Sequence, residues 1–318
     1  MTSIFENTHS KVTVHVLHDD TLTNDNRQKF IRTAEKYSQS VEFHDVSEYS
    51  KQLGKDIEKV SGNWTIGCCY RLAIPDIITS VNKIIYLDCD TIVNLDIKEL
   101  WDIDLEGKSL AGVIDIACER IKLFSDWHVR IRFAGGRVDS YINSGVIVMN
   151  LAKFREHGKF FDVVFEWLMS HSHLPIFPDQ DALNSIFLGD IKLLDGKFNK
   201  FYVPNVDQDI SGCIAHTCGA KPWREFMNIP QHILYWDMYL RSAWGENVTP
   251  LELVRTLASI SSSSQHYHQS ARQCLKPVTK AILRKLSLPG FRHSVMMILR
   301  HMYYRLTHYV SKKPDSKS

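Results

Sequence analysis

The stretch Ile84–Asp90, with the sequence IIYLDCD, decides how the chain is expected to fold. Its first four residues form an uninterrupted apolar run, the pattern of a strand buried on both faces in a parallel sheet. Asp88 and Asp90 lie at the C-terminal end of this predicted strand. In an open α/β sheet the crevice beyond the strand ends binds ligands, and residues two apart project to the same side. The two carboxylates are therefore expected to bind one cation together.

A second segment, His216–Trp223, supplies the candidate third ligand, His216. Two carboxylates and one imidazole suit Mn²⁺ or Mg²⁺ and leave positions open for diphosphate oxygens and water. Taken alone, such acids often cap turns, and a single histidine is more often part of a core. Gly219 would let the backbone approach a phosphate, and Lys221 would place a point charge beside it. These neighbours favour metal ligation.

The rest of the chain alternates between predicted strands and helices. Strands are predicted at residues 12–17, 41–46, 84–87, 110–114 and 145–149, and helices at residues 23–37 and around 70–75. This order is typical of an α/β protein with a doubly wound sheet. His15, His18, Asp19 and Asp20 are interpreted as structural residues with no chemical role.

Composition agrees with a soluble globular protein. The 318 residues are 44% hydrophobic and 23% charged, which is ordinary for a globular protein with one large core and an appendage. Seven scattered cysteines are interpreted as reduced thiols of a cytoplasmic protein. Neither a secretory signal nor an apolar stretch of membrane-spanning length is expected.

Charge divides the chain into an acidic body and a basic tail. Residues 250–318 contain 12 Lys/Arg and two Asp/Glu, a net charge of +10, whereas residues 1–249 carry −8. Apolar residues recur at helical spacing between Val295 and Val310. A basic amphipathic helix suits the anionic inner face of a cell membrane, to which the protein would attach peripherally. The alternative is a helix packed on the catalytic body; no motif accompanies the charge to indicate nucleic acid.

These motifs together resemble glycosyltransferase family 8, the retaining nucleotide-sugar transferases of GT-A fold that include bacterial lipopolysaccharide galactosyl- and glucosyltransferases. The resemblance runs from near Met1 to about Trp244. It implies a GT-A-type, Rossmann-like mixed sheet flanked by helices, with a C-terminal basic helical appendage. We expect a nucleotide-sugar-binding catalytic domain at residues 1–249 and the tail at 250–318. The implied reaction moves a hexose from UDP-glucose or UDP-galactose to a glycan acceptor, such as a lipopolysaccharide core or another surface polysaccharide, with Mn²⁺ or Mg²⁺ as cofactor.

The resemblance also implies roles for individual residues. Donor binding is expected from Arg71, Asp115, Asn143, Ser144, Gly145, Gly219 and Lys221, and catalysis from Asp179, Gln180, Asp181 and Lys221. Each motif has a plainer interpretation: Arg71 as a surface ion pair, Asn143–Gly145 as a turn into a strand, and Asp179–Asp181 as a helix start. A glutamine amide is a poor nucleophile. We therefore favour a front-face reaction, in which the acceptor hydroxyl attacks from the side that the phosphate leaves and Gln180 stabilises the cationic sugar. A transient bond to Asp179 or Asp181 remains the alternative.

One departure from the family concerns the N-terminus. Related enzymes begin with a strand and loop that bind the nucleoside base, whereas residues 2–7 resemble the end of the helix that follows them. Either the true start lies upstream by about one βα unit, or the chain as given is a damaged transferase. The second case would make it a non-catalytic partner in a glycan-assembly complex.

Overall fold

The structure is a computed structural model that describes residues 1–53, 66–115, 137–171, 177–202, 209–218 and 221–262. The chain divides into two compact units, Met1–His216 and Thr217–Ser318. The described part of the first unit contains nine strands: β1 Thr13–His18, β2 Ser40–Asp45, β3 Lys83–Leu87, β4 Thr91–Val93, β5 Leu110–Ile114, β6 Ile142–Asn150, β7 Ile191–Leu193, β8 Lys200–Phe201 and β9 Ile214–His216.

The strands form mixed sheets, in agreement with the predicted fold class. The described sheets have the orders β1-β2, β3-β6-β5-β7 and β4-β9-β8. Strands β1 and β2 pair in parallel, as do β5 with β7 and β8 with β9. The other three pairs, β3 with β6, β5 with β6 and β4 with β9, are antiparallel. Parallel and antiparallel strand pairs are therefore combined in one unit.

The expectation for Ile84–Leu87 is wrong in two respects, the direction of the neighbouring strand and the degree of burial. These residues do form β3, but its neighbour among the described strands is β6, which runs antiparallel, and its residues are only partly buried. A continuous apolar run reports that both faces of a strand contact other side chains, and it carries no information on the direction of the neighbouring strand. The segment Asn143–Gly145 also differs from the turn considered above, because it lies within β6.

Helices flank the sheets of the first unit. They are α1 Thr2–Asn7, α2 Asn24–Lys36, α3 Ser47–Leu53, α4 Ile74–Ile77, α5 Lys98–Trp101, α6 Leu151–Arg155, α7 Phe160–Ser170 and α8 Pro178–Ile186, with 3₁₀ turns at Ile66–Ala73, Val138–Ser140 and Gly196–Asn199. The predicted helix at residues 23–37 is confirmed as α2. Its N-cap is Thr23, whose side chain accepts a hydrogen bond from the Asn26 N–H.

The core of the first unit consists of two layers, one on each face of the central sheet. Strand β6 shows this arrangement directly, because Ile147 and Met149 belong to one hydrophobic cluster and Val146 and Val148 to the other. Such alternation follows from the two-residue period of a strand. The first layer includes α7 and α8, and the second includes α1 and part of α2. Polar residues at the strand ends are therefore held between two packed layers.

The described part of the second unit contains two helices, α9 Pro230–Arg241 and α10 Pro250–Ser262. Phe226, Leu253, Val254 and Leu257 form its hydrophobic cluster, so the start of the predicted tail packs on residues that precede it. The predicted boundary at 249/250 stays a prediction, and the apolar stripe at 295–310 lies outside the described residues. Among the described helices, none has the length and apolar character needed to span a membrane.

Candidate functional site

Three predicted metal ligands come together where β3 and β9 end. His216 Nε2 lies 3.4 Å from Asp90 Oδ1 and 3.8 Å from Asp88 Oδ2. The pairing of β4 with β9 brings this about, because it places Thr91, the residue after Asp90, opposite His216. One ligand atom from each of the three side chains lies within 4.8 Å of the others. We refer to Asp88, Asp90 and His216 as the strand-end cluster.

Gly145 makes room for this cluster. A Cβ atom at this position would lie 2.2 Å from His216 Cε1 and 2.8 Å from Asp88 Oδ2. Both contacts are far shorter than van der Waals distance, so a side chain here would displace two of the three candidate ligands. The predicted role of Gly145 was contact with the donor sugar; the geometry indicates that its missing side chain also lets the histidine ring pack against β6.

A chain of hydrogen bonds fixes the protonation of the His216 ring. Asp115 Oδ2 accepts from Asn143 Nδ2 at 3.0 Å, which orients the Asn143 oxygen toward Asn199. Asn199 Nδ2 donates to that oxygen at 2.9 Å, which leaves Asn199 Oδ1 to accept from His216 Nδ1 at 2.9 Å. With its proton on Nδ1, a neutral ring presents the Nε2 lone pair toward Asp88 and Asp90, where a cation would bind.

The strand-end cluster fits a divalent cation. The lone pair of His216 and the two carboxylates face one another in a site where Asp90 and His216 are only 5% and 2% exposed. Arg71 supplies one positive charge beside Asp88, and a divalent cation among the three side chains would supply further positive charge beside Asp90. One nitrogen and several oxygens are the ligand set that Mn²⁺ and Mg²⁺ accept.

Arg71 is a buried part of the site and forms no surface ion pair. Its guanidinium lies 2.7 Å from Asp88 Oδ1 and 3.1 Å from Asp179 Oδ2, and it donates to the backbone oxygen of Ser144. Burial alone would lower the pKa of Arg71, but Asp88 and other neighbours raise the pKa well above its ordinary value. Arg71 is therefore charged and holds Asp88 in place.

Tyr86 also positions Asp88, and the sequence did not single it out. Its hydroxyl donates to Asp88 Oδ1 at 2.7 Å, and its ring lies 4.4 Å from the Arg71 guanidinium carbon. Burial raises the pKa of Tyr86 well above its ordinary value, so the phenol stays protonated and remains a donor.

Four of the residues predicted to bind the donor or to act in catalysis form one connected network. Gln180 Nε2 donates to Asp115 Oδ2 at 2.9 Å, and Gln180 Oε1 accepts from the Ser144 N–H at 2.9 Å. The Ser144 hydroxyl donates to Asp179 Oδ2 at 3.0 Å. Helix α8 and the ends of β5 and β6 thus present their polar residues to one another, as predicted for strand ends and a helix start.

Asp181 is bonded differently from Asp179 and Gln180. One of its oxygens accepts from the Tyr141 hydroxyl, and the other accepts from the Phe177 N–H at 3.0 Å, at the start of α8. Burial and then the charge of Asp181 raise the pKa of Tyr141 well above its ordinary value, so this donor persists. These contacts resemble helix capping, the plainer interpretation considered for this acid.

Two predicted donor-site residues lie outside the described part of the first unit. Gly219 lies outside the described residues. Lys221 belongs to the second unit, where its Nζ donates to the backbone oxygen of Thr217 at 3.3 Å. Asn199 shows the opposite case, because it contacts His216 although no sequence motif marked it.

With this geometry established, comparisons with known proteins identify the family. The profile of "Glycosyl transferase family 8" matches residues 1–226. The chain belongs to this family. A putative glycosyltransferase of Haemophilus influenzae is 30% identical over 240 residues, which cover 70% of this chain and 67% of that protein. A lipopolysaccharide 1,2-glucosyltransferase of Escherichia coli is 27% identical over 261 residues, covering 76% of this chain and 73% of the relative.

A solved structure of the galactosyltransferase LgtC has a similar fold. The two structures superpose with a TM-score of 0.64 at 24% identity, over 80% of this chain and 93% of LgtC. The predicted GT-A-type α/β fold is thereby confirmed. As a family 8 member the chain is a glycosyltransferase, and a nucleotide-sugar donor and a glycan acceptor are the substrates of this class.

Proposed function

We propose that this glycosyltransferase is a retaining, divalent-metal-dependent hexosyltransferase. One observation carries the proposal: His216 Nε2 approaches Asp90 and Asp88 to 3.4 and 3.8 Å in a buried site that Gly145 keeps open. These three side chains would hold Mn²⁺ or Mg²⁺. A cation bound there supplies the positive charge that stabilises a departing diphosphate.

The donor we propose is UDP-glucose or UDP-galactose, and the acceptor is a lipopolysaccharide core or another surface glycan. The names of the relatives support this choice, because they include a lipopolysaccharide glucosyltransferase and a galactosyltransferase. We assign the sugar and diphosphate of the donor to Arg71, Asp115, Asn143, Ser144, Gly145, Gly219 and Lys221.

The hydrogen bonds of Asp179 and Asp181 favour a front-face reaction, in which the acceptor hydroxyl attacks the sugar from the side that the diphosphate leaves. Asp179 bonds to Arg71 and Ser144, and Asp181 bonds to Tyr141, so both carboxylates are already engaged and make poor nucleophiles. Gln180 is held by Asp115 and the Ser144 N–H, and the Ser144 hydroxyl, which donates to Asp179, lies 3.5 Å from the Gln180 carbonyl oxygen. We propose that this oxygen stabilises the cationic sugar without forming a lasting bond, while Asp179 maintains the position of Arg71.

The experiment is an assay of UDP release from a panel of nucleotide sugars, with Mn²⁺, with Mg²⁺ and after chelation. We expect release from one hexose donor that requires metal. Asp90→Asn should lower it by roughly 100-fold or more because a ligand charge is lost. The matched control is Asp25→Asn, an exposed carboxylate on α2 that pairs with Lys29. Lys221→Ala should lower turnover more than donor affinity.

Two results would overturn this proposal. Metal-independent release, or wild-type activity in Asp90→Asn, would remove the strand-end cluster from the reaction. An absence of release with every sugar and metal would instead support the non-catalytic partner considered from the sequence.

We further propose that the basic segment 250–318 attaches the enzyme to an anionic membrane surface. Its net charge of +10 supports this, since each Lys or Arg near such a surface contributes about 1 kcal/mol. Co-sedimentation with anionic vesicles should decrease as salt increases, and it should be absent with neutral vesicles. Equal sedimentation with both vesicle types would contradict the proposal.

A further inference from the structure

A second group of three side chains with metal-ligand character lies on β1 and β2. His15 Nδ1 lies 2.9 Å from His44 Nε2 and 3.4 Å from Glu42 Oε2, and His44 Nε2 lies 3.9 Å from the same Glu42 oxygen. We refer to His15, Glu42 and His44 as the two-strand cluster. None of its residues belongs to the site described above.

The pairing of the two strands explains why these side chains meet. Strands β1 and β2 pair in parallel with His15 opposite Glu42 and Leu17 opposite His44. Residues two apart on a strand project from the same face, so Glu42 and His44 lie on one face and His15 faces them from the adjacent strand. On the opposite face, Val14 and Val41 pack against the hydrophobic core.

We propose that the two-strand cluster is a second metal site, one that binds Zn²⁺ or a similar transition-metal ion. The shortest equal distance from one point to three atoms with these separations is about 2.0 Å, so zinc bonds of about 2.0–2.2 Å would place an ion in or just outside the plane of the three atoms. Two imidazoles and one carboxylate form a ligand set that zinc uses when water fills the remaining position. The Glu42 side chain is 57% exposed, so water can reach the ion.

The competing interpretation is a hydrogen bond between the two rings. A separation of 2.9 Å between nitrogens fits one ring donating N–H to the lone pair of the other. That interpretation explains the ring pair, and the strand register accounts for Glu42 being nearby, but neither uses the carboxylate oxygen that lies 3.4 and 3.9 Å from the two nitrogens. A metal ion explains all three positions. The two interpretations differ in what Zn²⁺ and Glu42 do, so they can be separated by direct measurement of bound metal.

The experiment uses the full chain with the strand-end cluster disabled by Asp90→Asn and His216→Ala, because zinc would also compete for that cluster. The metal-free protein is titrated with Zn²⁺, and bound zinc is measured by elemental analysis after gel filtration. We expect one Zn²⁺ per chain in this background. Adding His44→Ala should weaken the affinity by about 100-fold, and adding Glu42→Gln by about 10-fold. His9→Ala is the matched control, since His9 is an exposed histidine outside both clusters.

Each outcome decides the matter. Zinc binding that is weakened by His44→Ala and by Glu42→Gln, but is unaffected by His9→Ala, supports the site. The proposal is overturned in favour of the ring-to-ring hydrogen bond by either of two results. One is zinc binding that is unchanged by His44→Ala, and the other is an absence of zinc binding in the Asp90→Asn, His216→Ala background. If His44→Ala does not fold, as judged by circular dichroism, Glu42→Gln is sufficient. Its side chain is largely exposed and contributes little packing, so an unchanged zinc affinity would overturn the proposal.

Discussion

The strand-end cluster and the two-strand cluster place similar ligand atoms in different surroundings. The first combines two carboxylates with one imidazole, whereas the second combines two imidazoles with one carboxylate. In the first, two of the three residues are buried, whereas in the second Glu42 is exposed and the two histidines are partly buried. Oxygen-rich sites suit Mn²⁺ and Mg²⁺, and imidazole-rich sites suit zinc and its neighbours. If both proposals hold, ligand type and burial together distinguish a site that takes part in a reaction from a site that only holds an ion.

The two clusters also differ in how their nitrogen ligands are prepared. The hydrogen bond from His216 Nδ1 to Asn199 leaves Nε2 as the proposed metal ligand. In the two-strand cluster, burial and then the charge of His15 lower the pKa of His44, and the neighbour of its Nε2 is the His15 ring at 2.9 Å, itself a candidate ligand. A hydrogen bond from the second nitrogen of a ligand histidine usually affects metal affinity strongly. We therefore expect the strand-end cluster to respond to changes in residues that never touch the ion.

The largest effect on the comparison should come from Gly145→Ala. The new methyl group would lie 2.2 Å from His216 Cε1 and 2.8 Å from Asp88 Oδ2, so the ligands must move. We expect Mn²⁺-dependent UDP binding to weaken by roughly 100-fold, with zinc binding at the two-strand cluster unchanged. Isothermal titration with UDP in the presence and absence of Mn²⁺ measures the first quantity.

The matched control is Gly112→Ala, another glycine inside the central sheet. Its methyl group would meet the flexible end of the Ile142 side chain at 2.5 Å, away from the metal ligands. This variant should lose some stability in a thermal melt but retain Mn²⁺-dependent UDP binding. Equal loss of binding in both variants would mean that Gly145 acts through general destabilisation and that the strand-end cluster does not depend on the space it leaves.

The sequence predicted those site features that depend on a single segment. The apolar runs before Asp88 and Asp115 identified the strands, and the position of the acids identified their ends. The start of α8 at Asp179–Asp181 followed from a proline and acids before a helical pattern. These features are local, so composition and period within a short window determine them.

Features that depend on pairing between distant segments could not be predicted in the same way. Nothing within β1 or β2 shows that His15 lies opposite Glu42, because this depends on the pairing of two strands separated by a helix. His15 was for that reason interpreted as structural. Asn199 likewise comes near His216 through the packing of a 3₁₀ turn against β9, and no spacing or motif indicates it. The direction of the strand beside β3 belongs to the same class.

A smaller effect should come from Asn199→Ala, which tests whether a residue outside the cluster prepares its nitrogen ligand. Removing the acceptor of the His216 Nδ1 proton lets the ring rotate or change tautomer, so that Nε2 no longer consistently faces Asp88 and Asp90. Losses of about 10- to 100-fold in metal affinity are usual for such contacts. We expect the Mn²⁺ concentration for half-maximal UDP release to rise by about that factor, while turnover at saturating Mn²⁺ stays within a few-fold of the wild type. A merely structural role would lower turnover and stability together and leave the Mn²⁺ dependence unchanged.

Asn7→Ala provides the control, because it also removes a partly buried amide, one bonded to Ser3 and Val93 oxygens and not to a candidate ligand. If Asn199→Ala and Asn7→Ala gave the same Mn²⁺ dependence as the wild type, the hydrogen-bond chain from Asp115 to His216 would have no part in metal binding, and the contrast drawn between the two clusters would rest on ligand type and burial alone.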